Sequence, residues 1–265
     1  MSRVFLNDEL SADYRRLFTD CVVAADRIAE IEEIVTGIVG DRARYEAVAQ
    51  TLEMPWFVVA VFHYLATERS FECHLHNSDP LIERTTHLPD GRPPEGAPPF
   101  SWEESAIDAL KLQFFDQWRD WSLPGVLFKL EGYDTWAYRL HRPEVNSPYL
   151  WCGSNHYERG RFIAEDTWSD TAVASRCGGA VLLRRMAERG LIAFPEDAEE
   201  NLPDALRLIR YAEQPSEQSL VIELQRFLNR MPGIFVRVDG WPGPLTSKAL
   251  FRTLGHYLPD DPRRR

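Results

Sequence analysis

The chain has 265 residues, 44% of them hydrophobic and 12% aromatic, with eight tryptophans. That is enough to bury a sizeable core and too apolar for wholesale disorder. The formal net charge of −11, from 41 acidic and 30 basic side chains, repels polyanions. No stretch interleaves basic and aromatic residues, so a nucleic-acid partner is excluded as a first expectation.

Residues 11–39 read as one long amphipathic helix, with Leu17, Cys21, Ala24, Ile28, Ile31 and Val35 recurring at three- and four-residue steps. The start of the chain has acidic residues and no basic region leading into an apolar core. The expected setting is therefore cytoplasmic before release, without a signal peptide. Gly37 and Gly40 close the helix, and Asp41 is the expected cap of a shorter one reaching about Leu52. Pro55 then opens a segment apolar on nearly every face, from Trp56 to Thr67, which describes a central helix wrapped by others. It is too short to span a membrane and ends at Glu68.

From Phe71 to Pro99 the helical signal gives way to His, Asn, Asp, Pro and Gly, the composition of loops and short hairpins. Helix resumes after Ser101, where Ser101 and Glu104 have capping-box spacing, and should reach about Trp118. Another follows Leu123-Pro124-Gly125. Residues 133–168 are rich in aromatic and polar residues with weak periodicity, as in loops that line carbohydrate sites. Thr171 to Arg189 reads as a helix with Ala172, Val173, Ala180, Val181, Leu182 and Met186 inward. Residues 196–215, proline-rich and charged, read as a linker. Two helices, Ser219 to Asn229 and about Thr246 to Tyr257, then flank a Gly-rich turn in a separate module, residues 216–265.

The chemistry concentrates around Glu68. The end of an apolar helix disfavours a carboxylate through desolvation and through the negative end of the helix dipole. A carboxyl kept protonated there suits a general acid for glycoside cleavage. The alternative is a solvent-facing helix-end Glu paired with Arg69. Asp79, eleven residues on, offers a second carboxylate for water or charge, or else an Asx-turn residue before Pro80. Thr85 and Thr86 offer hydroxyls to position a water, or ordinary hairpin β-propensity.

His74 and His76 have no third ligand at diagnostic spacing, so no metal is expected. Cys21, Cys73, Cys152 and Cys177 are widely spaced and read as reduced thiols, with a Cys152–Cys177 bridge as the alternative. No P-loop, dinucleotide fingerprint, EF-hand or serine-nucleophile elbow occurs, and no cofactor is called for.

The stretch Glu68-Arg-Ser-Phe-Glu-Cys-His-Leu-His-Asn-Ser-Asp-Pro-Leu, with Arg84-Thr-Thr-His-Leu-Pro-Asp-Gly-Arg-Pro, resembles a lysozyme-like family of bacterial and phage proteins. Ser147-Pro-Tyr-Leu-Trp, Asn155-His-Tyr-Glu-Arg-Gly-Arg-Phe-Ile-Ala and Ala180-Val-Leu-Leu-Arg-Arg extend the likeness over about residues 50–190. The resemblance implies a mainly α (α+β) chain: a lysozyme-like helical domain, residues 1–195, with a small hairpin and loop lobe. It implies Glu68 as general acid, supports Asp79 and Thr85 or Thr86 beside it, and makes Tyr138, Asn155, His156 and Tyr157 candidate glycan contacts. Ser78 replaces the family's usual Gly, and Asp134, Thr135 and Ala137 replace an Asn and two Gly.

The module's Leu224-Gln-Arg-Phe-Leu-Asn and Asp239-Gly-Trp-Pro-Gly-Pro-Leu-Thr246-Ser-Lys-Ala resemble the small three-helix peptidoglycan-binding repeat. In that likeness Asp239, Gly240 and Thr246 shape the turn and Trp241 offers an apolar ligand face. The combined expectation is a monomeric endolysin-type muramidase acting on bacterial peptidoglycan, with no membrane partner. A lytic transglycosylase and a non-catalytic wall-binding or virion protein are the alternatives.

Overall fold

A computed structural model describes residues 4–164, 167–194, 206, 208–229, 231 and 234–264. Contacts divide the chain into two compact units, Met1–Trp118 with Pro124–Arg189, and Arg119–Leu123 with Gly190–Arg265. The expected 196–215 linker lies largely outside the described residues. The protein is mainly helical.

In the first unit the expected 11–39 helix is two helices, α1 (Asp8–Thr19) and α2 (Ile28–Gly40), joined through a short 3₁₀ turn at Ala25–Arg27. The break has a tertiary cause. Asn155 accepts from the Val22 N–H at 2.8 Å and donates to the Asp20 carbonyl at 3.0 Å, while Ala24 N–H donates to the Gly153 carbonyl. These bonds hold β-branched Val22 and Val23 extended, a conformation they favour. Helix α3 (Arg42–Leu52) follows, but Asp41 makes no side-chain capping bond to it and instead pairs with Arg69 at 2.8 Å.

Helix α4 (Trp56–Thr67) is the axis of the unit, with every residue from Trp56 to Leu65 buried. A helix apolar all round needs neighbours all round. It packs against α3 and α9 (Gly179–Glu188). Close approach at α9 depends on glycine: a Cβ at Gly179 would stand 3.0–3.4 Å from Leu65, Val61 and Leu130, and one at Gly178 would stand 2.2 Å from the Leu150 carbonyl oxygen. Helix α9 begins eight residues later than periodicity suggested. Gly178 is extended, and Val173, expected inward, is exposed.

The capping box predicted at Ser101 is present on α5 (Trp102–Leu112), which is shorter than expected. Helices α6 (Leu123–Asp134), α7 (Ala137–His141) and α8 (Pro148–Trp151) follow, then a two-stranded antiparallel sheet of β1 (Arg161–Ala164) and β2 (Thr167–Ser169). All four cysteines are free thiols.

In the second unit α10 (Ser219–Leu228) and α11 (Pro244–Leu254) share a core built on Val221, Leu224, Leu228, Ala249, Leu250 and Leu254. Among the described residues no helix is long and apolar enough to cross a membrane.

Candidate functional site

Glu68 caps α4 in the left-handed region, at φ 52°, and Arg69 follows at φ 69°. Two consecutive non-glycine residues in this region are costly and persist only where surroundings hold them. The Glu68 and Arg69 N–H groups donate to the Tyr64 and His63 carbonyls at 2.9 and 3.4 Å, returning two of the helix's orphan acceptors to use. His63, fully buried one turn earlier, contacts the Ser70 carbonyl through Nε2 at 3.0 Å and the Tyr45 hydroxyl through Nδ1 at 3.1 Å. A carbonyl only accepts, so Nε2 carries the proton and Nδ1 accepts from Tyr45. Burial pushes His63 down to about 4, which keeps it neutral. Arg69 lies against Gly37 of α2, where any Cβ would overlap its guanidinium. The turn that presents Glu68 is thus tied to α2 and α3.

The Glu68 carboxylate is 68% exposed and pairs at 2.7 Å with Arg176, whose other terminal nitrogen donates to the Leu65 carbonyl. Neither the expected enclosure nor a pair with Arg69 is observed. Glu68 lies on the rim of a cleft of about 730 Å³ that also takes in Tyr64, Asp134, Tyr138, Tyr149, Arg161 and Arg176.

Of the sequence-selected residues, the structure brings Glu68 and Tyr138 into this cleft together. Asp79, Thr85 and Thr86 lie in the loop that follows, and their polar atoms close it. The Asp79 carboxylate accepts from Asn77 Nδ2 at 3.0 Å, from the Thr86 and His87 N–H groups at 2.7 and 2.9 Å, and from His87 Nδ1 at 2.6 Å. Those His87 and Thr86 bonds hold its carboxyl well below the usual carboxylate range. The Thr85 hydroxyl donates to the Pro89 carbonyl at 2.6 Å and accepts from the Arg92 N–H at 2.8 Å. Ser78 has φ 69°, the conformation for which a glycine is the usual residue, and its hydroxyl reaches the Ala66 carbonyl at 3.4 Å.

His74 and His76 hold the same loop to α5. His74 meets the Ser105 hydroxyl and the Glu83 carbonyl, each at 2.8 Å, and His76 meets Asp108 at 2.8 Å. Arg92 closes on Asp108 through two bonds, of 2.9 and 2.6 Å.

Asn155, His156 and Tyr157 also serve the fold. Asn155 bridges the α1–α2 break, His156 contacts the Leu17 carbonyl at 2.7 Å, and the Tyr157 hydroxyl accepts from the Ala174 N–H at 3.1 Å.

Sequence reasoning did not select Asp134, Tyr149 or Arg176. Asp134 opens to the cleft but is ringed by protein, and that enclosure pushes its carboxyl up to about 6; Glu131 adds to the rise and Arg161 opposes it. Water reaching it through the cleft tempers the enclosure. The Tyr149 hydroxyl is buried without a hydrogen-bond partner. In the sequence Asp134 is marked only as a departure from the pattern that its stretch resembles.

In the second unit the four selected residues meet around Gln225, which is fully buried. Its amide nitrogen lies 2.8 Å from Asp239 Oδ1, 3.0 Å from Thr246 Oγ1 and 3.2 Å from the Trp241 carbonyl. Its amide oxygen accepts from the Asp239 and Gly240 N–H groups, both at 2.9 Å. Gly240 has φ 73°, and a Cβ at Gly243 would stand 2.4 Å from the Trp241 ring, so these glycines set the turn and let the indole lie against it. Trp241 Nε1–H donates to the Ala212 carbonyl at 2.9 Å. The indole lines a groove of about 550 Å³ with Pro215, Val236, Asp239, Leu245 and Thr246. The Leu-Gln pair in the sequence was the signal for Gln225.

Compared with known protein families, curated proteins and solved structures, the chain matches none.

Proposed function

We propose that the chain is a peptidoglycan hydrolase of the muramidase type, an endolysin-like protein that cleaves the β-1,4 link between N-acetylmuramic acid and N-acetylglucosamine. The observation that carries this reading is Glu68, presented by a braced left-handed turn at the end of the buried α4 onto a cleft large enough for sugar rings. The likeness of residues 68–94 to lysozyme-like proteins supports the same residue as the acid that protonates the leaving oxygen. Asp79 and Thr85 then act on the reaction through the loop they hold. The groove beside Trp241 suits the wall-anchoring role implied by the likeness of the C-terminal module, since an indole face packs on apolar sugar faces. Both units act on one polymer, so tethering raises the effective concentration of the catalytic unit at the wall.

A lytic transglycosylase is a second reading, favoured by the place of Asp79 within its own loop and off the cleft wall, which leaves Glu68 as the sole carboxylate of the original pair in the cleft. Wild type and Glu68→Gln incubated with purified bacterial sacculi test the shared claim. Soluble glycan fragments are expected from wild type and not from the variant. Sacculi bound but left intact by wild type would remove the enzyme reading.

A further inference from the structure

A hydrolysis at this cleft needs a group to receive the proton of the attacking water, and Asp79 is buried in its own loop and is not part of the cleft lining. Asp134, at the last position of α6, lines the same cleft as Glu68, and its carboxylate has no hydrogen-bond partner among the described residues. Tyr149 lines the cleft as well, and its hydroxyl, buried behind that wall without a hydrogen-bond partner, senses the Asp134 charge.

Resting on the glycosidase reading above, we infer that this chain, which carries Asp134 where the proteins it resembles have Asn, uses Asp134 and not Asp79 as the second working carboxylate of the cleft, accepting the proton of the attacking water. In the step, Glu68 gives its proton to the glycosidic oxygen as the bond from that oxygen to the anomeric carbon breaks. The water oxygen bonds to the same carbon and its proton passes to Asp134. Solvent then removes the proton from Asp134 and returns one to Glu68.

The surroundings of Asp134 suit a base. The end of a helix disfavours a carboxylate, which strengthens its pull on a proton. Glu131 on α6 acts in the same direction, Arg161 on β1 opposes it, and Tyr138 and Tyr149 are the phenols coupled to it. Glu30, Glu68, Arg69 and Arg176 are the remaining charges along the cleft. The resulting carboxyl, near 6, is ionised at neutral pH yet basic enough to accept a proton. A base must be deprotonated to act, so turnover rises with pH through about 6.

The test is the pH profile of sacculus solubilisation by the full-length protein, compared with Asp134→Asn. The expected kcat falls by roughly 10²-fold or more, with KM unchanged and the ascending limb gone. Asp134→Ala should regain turnover with added azide, releasing glycosyl azide, because azide attacks without giving up a proton. Near-UV circular dichroism verifies that both variants keep their packing. Asp134→Asn with the wild-type rate and limb, or a folded Asp134→Ala that azide does not restore, would overturn the inference while Glu68→Gln still upholds the glycosidase reading. A wild-type protein that releases nothing would remove both.

Discussion

Replacing Gln225 by Leu should unfold the C-terminal module's turn, because one amide holds it together. The substitution fills similar space but removes the acceptor of the Asp239 and Gly240 N–H groups and the donor to Asp239 and Thr246. Gly240 is buried and Asp239 half-buried, so the first N–H loses its partner outright and the second regains part of its bond from water. A buried polar group left unpaired costs about 1–3 kcal/mol, so the total loss is about 3 kcal/mol. A module of this length has roughly 3–8 kcal/mol of stability altogether, so the variant sits at or near its unfolding threshold. The assay is a urea titration followed through the Trp241 indole N–H resonance, a reporter of the bond to Ala212. Gln225→Glu keeps the acceptor but sets a second carboxylate against Asp239, and should recover stability on acidification as one of the two protonates. A Gln225→Leu protein with the wild-type urea midpoint would refute the reasoning.

Two further outcomes follow from the first unit. His63 is neutral and buried when folded but protonates near 6.5 when unfolded, so no penalty exists above that pH. The penalty grows as pH falls towards about 4, where it reaches about 3 kcal/mol; urea midpoints across that window should fall for wild type and stay flatter for His63→Gln. Gly178→Ala forces a Cβ against the Leu150 carbonyl oxygen and should cost about 3 kcal/mol, read as a lowered thermal midpoint. An unchanged midpoint would show that α8 yields freely.

Local signals in the sequence were legible where local physics decides the outcome. The all-apolar run after Pro55 is the buried α4, and Ser101 with Glu104 forms the capping box its spacing implied. The Asp239-Gly turn follows from a residue pair that tolerates positive φ. Departures arose where a distant partner decides. Asn155 breaks a periodic helix from more than 130 residues away, and Arg69 draws Asp41 from the helix it was expected to cap. Glu68 could be placed at its helix end from sequence, but its partner there is Arg176, and no spacing rule links the two. Asp79 looked free because four of the five hydrogen bonds to its carboxylate come from Thr86 and His87, brought round by the loop. Asp134 reaches the cleft only through tertiary packing.

The most direct test of the central claim is digestion of sacculi in heavy-oxygen water, with the released fragments identified by mass spectrometry. Hydrolysis at Glu68 predicts new reducing-end N-acetylmuramic acid carrying the heavy oxygen, present with wild type and absent with Glu68→Gln. Anhydro ends without the label would contradict hydrolysis and establish a transglycosylase, and the absence of fragments would contradict catalysis altogether.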